Sequence, residues 1–147
     1  MNTTTFTYST YIQTTAEKLW EALTSPEFTK QYWQTRYFEA DWKSGGAIKM
    51  MRGDGGMDFE GTVIDYNPLK LLSYSGLGSD GSSPTKVSFE IIPLLDSQVR
   101  LNVIHEGLPD SKTMPVREGW YAIISSLKTM LETGKPLDFS WWKGDRR

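Results

Sequence analysis

The sequence contains no cysteine and one histidine in 147 residues. Without thiols there is no disulfide framework, no thiolate metal site and no cysteine nucleophile. With His105 alone, and no acidic cluster at calcium-loop spacing, neither a metal site nor a cofactor is expected. An excess of one charge is also missing. Sixteen Lys and Arg face eighteen Asp and Glu, a net −2, so nucleic acid meets no basic field. No run of about 18 apolar residues exists, and no membrane span is expected. Residues 1–11 are polar and Thr-rich. They lack the basic start and apolar core of a signal peptide, so a cytoplasmic location is expected.

What is present is aromatic. The apolar fraction is a modest 38%, but six Trp, seven Tyr and six Phe supply large areas to bury. The length suits one domain, with a core over about residues 5–134 and a tail over 135–147.

One stretch organises the rest. Over residues 115–133, Val116, Trp120, Ile123, Ile124, Leu127, Met130 and Leu131 recur at helical spacing and share a face. Pro115 suits a first turn, with Thr113 as its cap. Gly134 and then Pro136 stop the helix. About five turns of helix carry a stripe that must be buried. Upstream segments supply the only surface for it.

Those segments alternate. Residues 6–13 read as a strand with Phe6, Tyr8, Thr10 and Ile12 on one face. Thr14 and Glu17 have capping-box spacing and open a short helix, with Leu19, Trp20 and Leu23 inward. Ser25-Pro26 opens a second, ending at Tyr32 and Trp33. Strands follow over 36–42, 47–52, 58–66, 71–75, 85–92 and 98–106. Their turns are Ser44-Gly45-Gly46, Gly53-Asp54-Gly55-Gly56, Asn67-Pro68 and Leu95-Asp96-Ser97, with a Gly- and Ser-rich loop over 76–84. Short connections make the sheet antiparallel. The expected class is α+β: a curved antiparallel sheet wrapped around one long C-terminal helix, with two short helices after the first strand.

Several strings stand in a familiar order. They are 19–27 (LWEALTSPE), Gln31-Tyr32-Trp33, Asp41 with Gly45-Gly46, Gly61-Thr62-Val63, 67–71 (NPLKL), 103–108 (VIHEGL), Glu118-Gly119-Trp120 and 131–134 (LETG). Together they resemble the AHSA-type branch of the START/SRPBCC helix-grip superfamily, named for activators of a heat-shock-protein ATPase. The resemblance spans about residues 14–134, with Asn67-Pro68 standing where the family often has two prolines. It implies a helix-grip fold with a cavity between sheet and helix. It implies no fixed chemistry, since the superfamily includes carriers, receptors, cyclases and chaperone activators.

Candidate site residues follow from parity and helical phase. His105 shares the inward register of Val99, Leu101 and Val103; it reads as a polar anchor, a base, or a structural histidine. Trp33, Trp42, Phe59, Tyr74 and Trp120 are the aromatic set near the expected cavity, joined by Met50 and Phe89 from inward strand positions. Tyr121, at the stripe's edge, belongs to the same set and offers a hydroxyl; it is expected to point, with His105, into the space between sheet and helix. Arg52 shares the parity of Ile48 and Met50 and either meets an anionic group or bends to solvent. Asp58 and Glu60 fall together on what reads as a solvated face. Trp141-Trp142 in the tail expect a surface or another chain to cover them. The leading expectation is non-enzymatic binding of a small, largely apolar or aromatic molecule. Alternatives are a protein-interaction role resembling the chaperone-ATPase activators and a cyclase- or hydrolase-like enzyme. A homodimer and a protein partner are both compatible with the sequence.

Overall fold

The protein is described here by a computed structural model covering residues 3–78 and 84–140. The order of elements is β1 (Thr3–Ile12), α1 (Ala16–Thr24), α2 (Pro26–Tyr32), β2 (Tyr37–Ala40), β3 (Ala47–Met51), β4 (Met57–Asn67), β5 (Leu71–Gly78), β6 (Thr85–Pro93), β7 (Val99–Pro109) and α3 (Thr113–Thr133). The seven strands form one antiparallel sheet in the order β1-β7-β6-β5-β4-β3-β2. Strand 1 therefore closes onto strand 7, and the remaining strands run back as a meander. This is the expected helix-grip arrangement.

The sheet curves because two of its strands approach without side chains between them. Gly61 and Gly76 are directly paired. A Cβ on Gly61 would lie 1.9 Å from the Ser75 carbonyl oxygen, and one on Gly76 2.4 Å from that of Glu60. Only glycine fits there. The concave face then receives the apolar stripe of α3. Trp120, Ile124, Leu127 and Met130 are buried, and Val116, Ile123 and Leu131 pack at its margin. Beneath them lie Ile48, Val63, Leu72, Phe89, Leu101 and Val103. Helices α1 and α2 close one end with Leu19, Leu23 and Tyr32, the Tyr32 hydroxyl donating to the Ala22 carbonyl at 2.8 Å.

Helix boundaries differ from the expected ones by a residue or two. The cap of α1 is Thr15, whose hydroxyl accepts from Lys18 N–H at 3.1 Å. Thr14 instead turns back, donating its own N–H to the Ile12 carbonyl. Thr113 is not the cap of α3 but its first residue. A 3-10 turn, Asp110–Lys112, runs into the helix, and the Thr113 hydroxyl donates to the Pro109 carbonyl at 3.3 Å. At the other end Gly134 takes the left-handed conformation, φ 92°, as its position after the stripe predicts. Strand β5 runs on to Gly78, into what read as a loop. The rest of that loop, apart from Pro84, lies outside the described residues, as do Trp141 and Trp142.

Truncating the stripe tests the arrangement. Trp120→Ala and Leu127→Ala are each expected to cost roughly 2–5 kcal/mol, read as a lower denaturation midpoint. Unchanged midpoints for both would remove α3 from its place on the sheet.

Candidate functional site

In a meander, alternate connections share an end. The α2–β2, β3–β4, β5–β6 and β7–α3 connections therefore gather at one end of the sheet. The Trp33 end of α2, the first half of α3 and the adjoining ends of β6 and β7 lie there too.

Most of the expected aromatic residues meet at this end in a closed circuit. Ring centroids are separated by 5.5 Å for Trp33–Phe38, 5.3 Å for Phe38–Tyr74, 6.2 Å for Tyr74–Phe89, 5.8 Å for Phe89–Trp120 and 5.6 Å for Trp120–Trp33. These are contact distances for edge-to-face and tilted rings. Phe59 stacks on Tyr74 at 5.3 Å, and Trp42 meets Phe38 edge-on at 6.0 Å. Met50 is buried opposite Phe59 in the sheet. Strand parity brings Phe38, Met50, Phe59, Tyr74 and Phe89 to the concave face. Trp33 arrives from the end of α2 and Trp120 from α3. Burial pushes the Tyr74 phenol up, so it stays protonated.

His105 joins this circuit through Trp120. The indole Nε1–H donates to His105 Nδ1 at 3.1 Å, and His105 Nε2 lies 2.9 Å from Thr85 Oγ1. An indole nitrogen can only donate, so Nδ1 is an acceptor and the ring proton sits on Nε2. Nε2 then donates to the threonine oxygen. The Thr85 hydroxyl proton is left for a third group. Burial pulls the imidazole down to about 4, so it is neutral at ordinary pH. A neutral histidine with both nitrogens engaged has no free lone pair for proton abstraction.

Charge collects at the rim. Arg36 is 4% exposed. It donates through Nε to Asp58 Oδ2 and through Nη1 to the Gln34 carbonyl at 3.2 Å. Its Nη2 has no partner among the described residues. Arg52 donates to Asp58 Oδ1 at 3.0 Å and to Asp54 Oδ1 at 3.3 Å. Arg52 thus neither enters the interior nor swings free, and its guanidinium is raised by those hydrogen bonds. Asp58 and Glu60 do not share one solvated face as expected. A bulge sets Met50 opposite Phe59 but Met51 opposite Met57, which makes Asp58 the extra residue. The bulge re-aims its carboxylate toward the two arginines, while Glu60 stays exposed. The Gly53-Asp54-Gly55-Gly56 turn is held by its own groups. Asp54 accepts from Gly56 N–H at 2.8 Å, and Gly55 takes φ 91°.

Tyr121 stands apart from the rest. It is 39% exposed and packs edge-on against Phe6 and Tyr8 of β1 at 6.0 and 5.3 Å. Its hydroxyl accepts from Arg117 Nη2 at 3.0 Å. The helical phase places it at the margin of the stripe, and β1 lies beneath that margin. Phe38, Thr85 and Arg36 were missed. Parity could have found two of them: Thr85 shares the inward register of Val87 and Phe89, and Phe38 lies four residues before Trp42 in a readable strand. Arg36 follows two left-handed residues, Gln34 at φ 52° and Thr35 at φ 68°, which no composition signals. Among the described residues no cluster of metal-ligating groups occurs, and no helix is long and apolar enough to cross a membrane.

Comparison with known proteins agrees with this geometry. The model of the family described as activator of Hsp90 ATPase homolog 1-like protein matches residues 13–132. Similar solved structures include CalU16 from Micromonospora echinospora, with TM-score 0.74, 15% identity and coverage of 88% of this chain and 77% of that one. The Aha1 dimer from Colwellia psychrerythraea gives 0.70 and 24%, covering 90% and 98%. An HSP90 activator from Plasmodium falciparum gives 0.72 and 18%, covering 86% and 95%. No protein of curated function matches the chain.

The histidine makes a prediction in pH. Its folded value of about 4 lies below the ordinary 6.5, so between these values the unfolded chain binds a proton that the folded chain does not. The contribution is complete above about pH 6.5 and is lost as pH falls through about 4. It amounts to on the order of 3 kcal/mol at about 1.4 per pH unit. Denaturant unfolding of the wild type and His105→Gln between these pH values should show the wild type losing that much more. Parallel curves would place His105 in water.

Proposed function

The chain belongs to the family of activator of Hsp90 ATPase homolog 1-like proteins, and on that premise we propose that it binds a small, flat, largely apolar molecule without transforming it. The ligand sits between the concave face and α3, at the end where the aromatic residues gather. Trp33, Trp42, Met50, Phe59, Tyr74, Phe89 and Trp120 supply the apolar walls, and His105 acts through Thr85, whose hydroxyl is the polar anchor. The observation that carries this reading is the Trp120–His105–Thr85 chain of hydrogen bonds inside the aromatic circuit. It leaves the Thr85 hydroxyl proton as a placed donor beside the aromatic circuit. A site with apolar walls and a few placed polar groups is the usual form of a small-molecule site. Catalysis is disfavoured by the same chemistry. His105 has no free lone pair, and the Asp58 carboxylate is committed to two arginines.

A second reading, docking to another protein through the convex face, draws on the charged rows there. Glu39, Lys49 and Glu60 are neighbours in register, as are Lys86 and Glu106. Alternating signs at directly opposed positions satisfy one another, so this face presents no field of one sign to a partner. The interior reading is therefore preferred.

The test is titration with a neutral fluorescent naphthyl ketone, which offers a flat apolar body and one acceptor. Saturable binding of one probe per chain is expected. Thr85→Val, which keeps shape and removes the donor, should weaken it about two- to twelve-fold, the loss of one neutral hydrogen bond. Native mass spectrometry of the purified chain provides the independent check for a co-purified molecule. No saturable binding and no retained molecule would overturn the proposal.

A further inference from the structure

An open sheet has two edges, here β2 and β1, and they are built differently. Strand β2 is four residues long, carries Glu39 and follows directly on Arg36 with its ion pair to Asp58. Strand β1 is ten residues long and reads Thr-Thr-Thr-Phe-Thr-Tyr-Ser-Thr-Tyr-Ile. It has no charge, no proline and no glycine. Short length, charge and proline are what ordinarily keep an edge from pairing with another chain. Strand β1 has none of them.

The backbone groups on that edge can be identified. In an antiparallel strand the N–H and C=O of one residue point to the same side, and the side alternates along the chain. Lys128 Nζ donates to the Tyr11 carbonyl at 2.8 Å, and Gln13 N–H donates to Glu132 Oε2 at 2.9 Å. Both acts of capping come from α3 and both fall on odd-numbered residues. The odd residues of β1 thus direct their backbone groups to the free edge. The register irregularity in the β1–β7 pair does not disturb this alternation. Thr4 pairs with Leu108 and Phe6 with His105, so the extra residue is in β7, where Gly107 takes φ 82°. Among the described residues nothing caps Thr5, Thr7 and Ser9 as α3 caps Tyr11 and Gln13, and all three are exposed.

We propose that a second copy of this chain pairs its β1 with this edge, antiparallel, about a two-fold axis at Thr7. Centring on Ser9 would demand the Tyr11 carbonyl, which Lys128 occupies. Centring on Thr5 would leave Ser9 unpaired. At Thr7 the whole uncapped window is used. Thr7 then faces its own image, and Thr5 faces Ser9 of the second copy. On the concave side Phe6 faces the second copy's Tyr8, and Tyr8 its Phe6. Threonine pairs, hydroxyl pairs and aromatic pairs are each favourable across strands, and no charge meets its own image. The aromatic pairs continue the triangle that Phe6 and Tyr8 form with Tyr121. The interface is isologous, as a two-fold requires.

Sedimentation velocity on the full chain tests this. The wild type should dimerise in the micromolar range. Thr7→Lys or Thr7→Glu alone should weaken the dimer about tenfold or more, because like charges then oppose directly. An equimolar mixture of the two should restore it, which a folding defect would not do. Amide exchange in the wild type is the second measurement: protection at Thr7 should rise with concentration. A wild type that stays monomeric, variants that dimerise unchanged, or exchange at Thr7 independent of concentration would each overturn the proposal. A β1 edge that pairs only with a different protein would show as the first of these.

Discussion

Trp120 is held in two ways at once, and the site depends on both. Its ring packs against Trp33 and Phe89, which ties α3 to α2 and to the centre of the sheet. Burying an indole removes about 150–250 Å² from water, worth about 4–6 kcal/mol at 25 cal per Å². Its N–H must still find an acceptor, because an unpaired buried donor costs about 1–3 kcal/mol. His105 is that acceptor. The need to satisfy one indole therefore dictates the tautomer of the histidine, and the tautomer dictates that the Thr85 oxygen accepts a hydrogen bond from the ring, leaving its own O–H to donate elsewhere. A packing requirement in the core thus sets the polarity of a candidate binding group.

The sheet that receives Trp120 is shaped by local irregularities. The Gly61–Gly76 pair lets two strands close on each other. A bulge at Asp58 and another beside Val63 change which side chains look inward along β4. The second makes Ile64 the extra residue, so that Tyr66 and not Asp65 turns to the core, opposite Leu72. Bulges increase local twist and bend. Curvature and the rim charges thus share a cause in β4: the first bulge bends the strand and delivers Asp58 to Arg36 and Arg52.

This explains what the sequence made legible and what it did not. Period-two alternation identified the buried faces of β3, β6 and β7, where Met50, Phe89 and Leu101 proved to be core. The 3.6-residue period identified the buried side of α3. Both signals are properties of a segment by itself. Asp58 was misplaced because a bulge shifts parity without any composition mark. The partners of His105 were unreadable because Thr85 and Trp120 come from other elements. Tyr121 lies at the stripe's margin but packs on β1, half exposed, instead of facing the space beside His105 as expected, because helical phase does not say which strand lies under that margin. Arg36 depends on two consecutive left-handed residues, Gln34 and Thr35, and non-glycine residues rarely adopt that conformation.

The distribution of polarity constrains what such a site can hold. Inside, the polar groups are neutral dipoles: a protonated phenol at Tyr74, a neutral imidazole at His105 and a threonine hydroxyl. Formal charges stand only at the rim, where Asp58 is shared between Arg36 and Arg52. A charged ligand group driven among the rings would lose its hydration and meet no counter-ion, a cost of several kcal/mol. At the rim the same group would meet the Arg36 Nη2 that Asp58 leaves unpartnered among the described residues. A neutral acceptor avoids that cost and can meet the O–H donors the interior presents, at Thr85 and Tyr74. The placement of charge thus argues for a ligand that is neutral where it is buried, with any charge it carries left at the rim or in solvent.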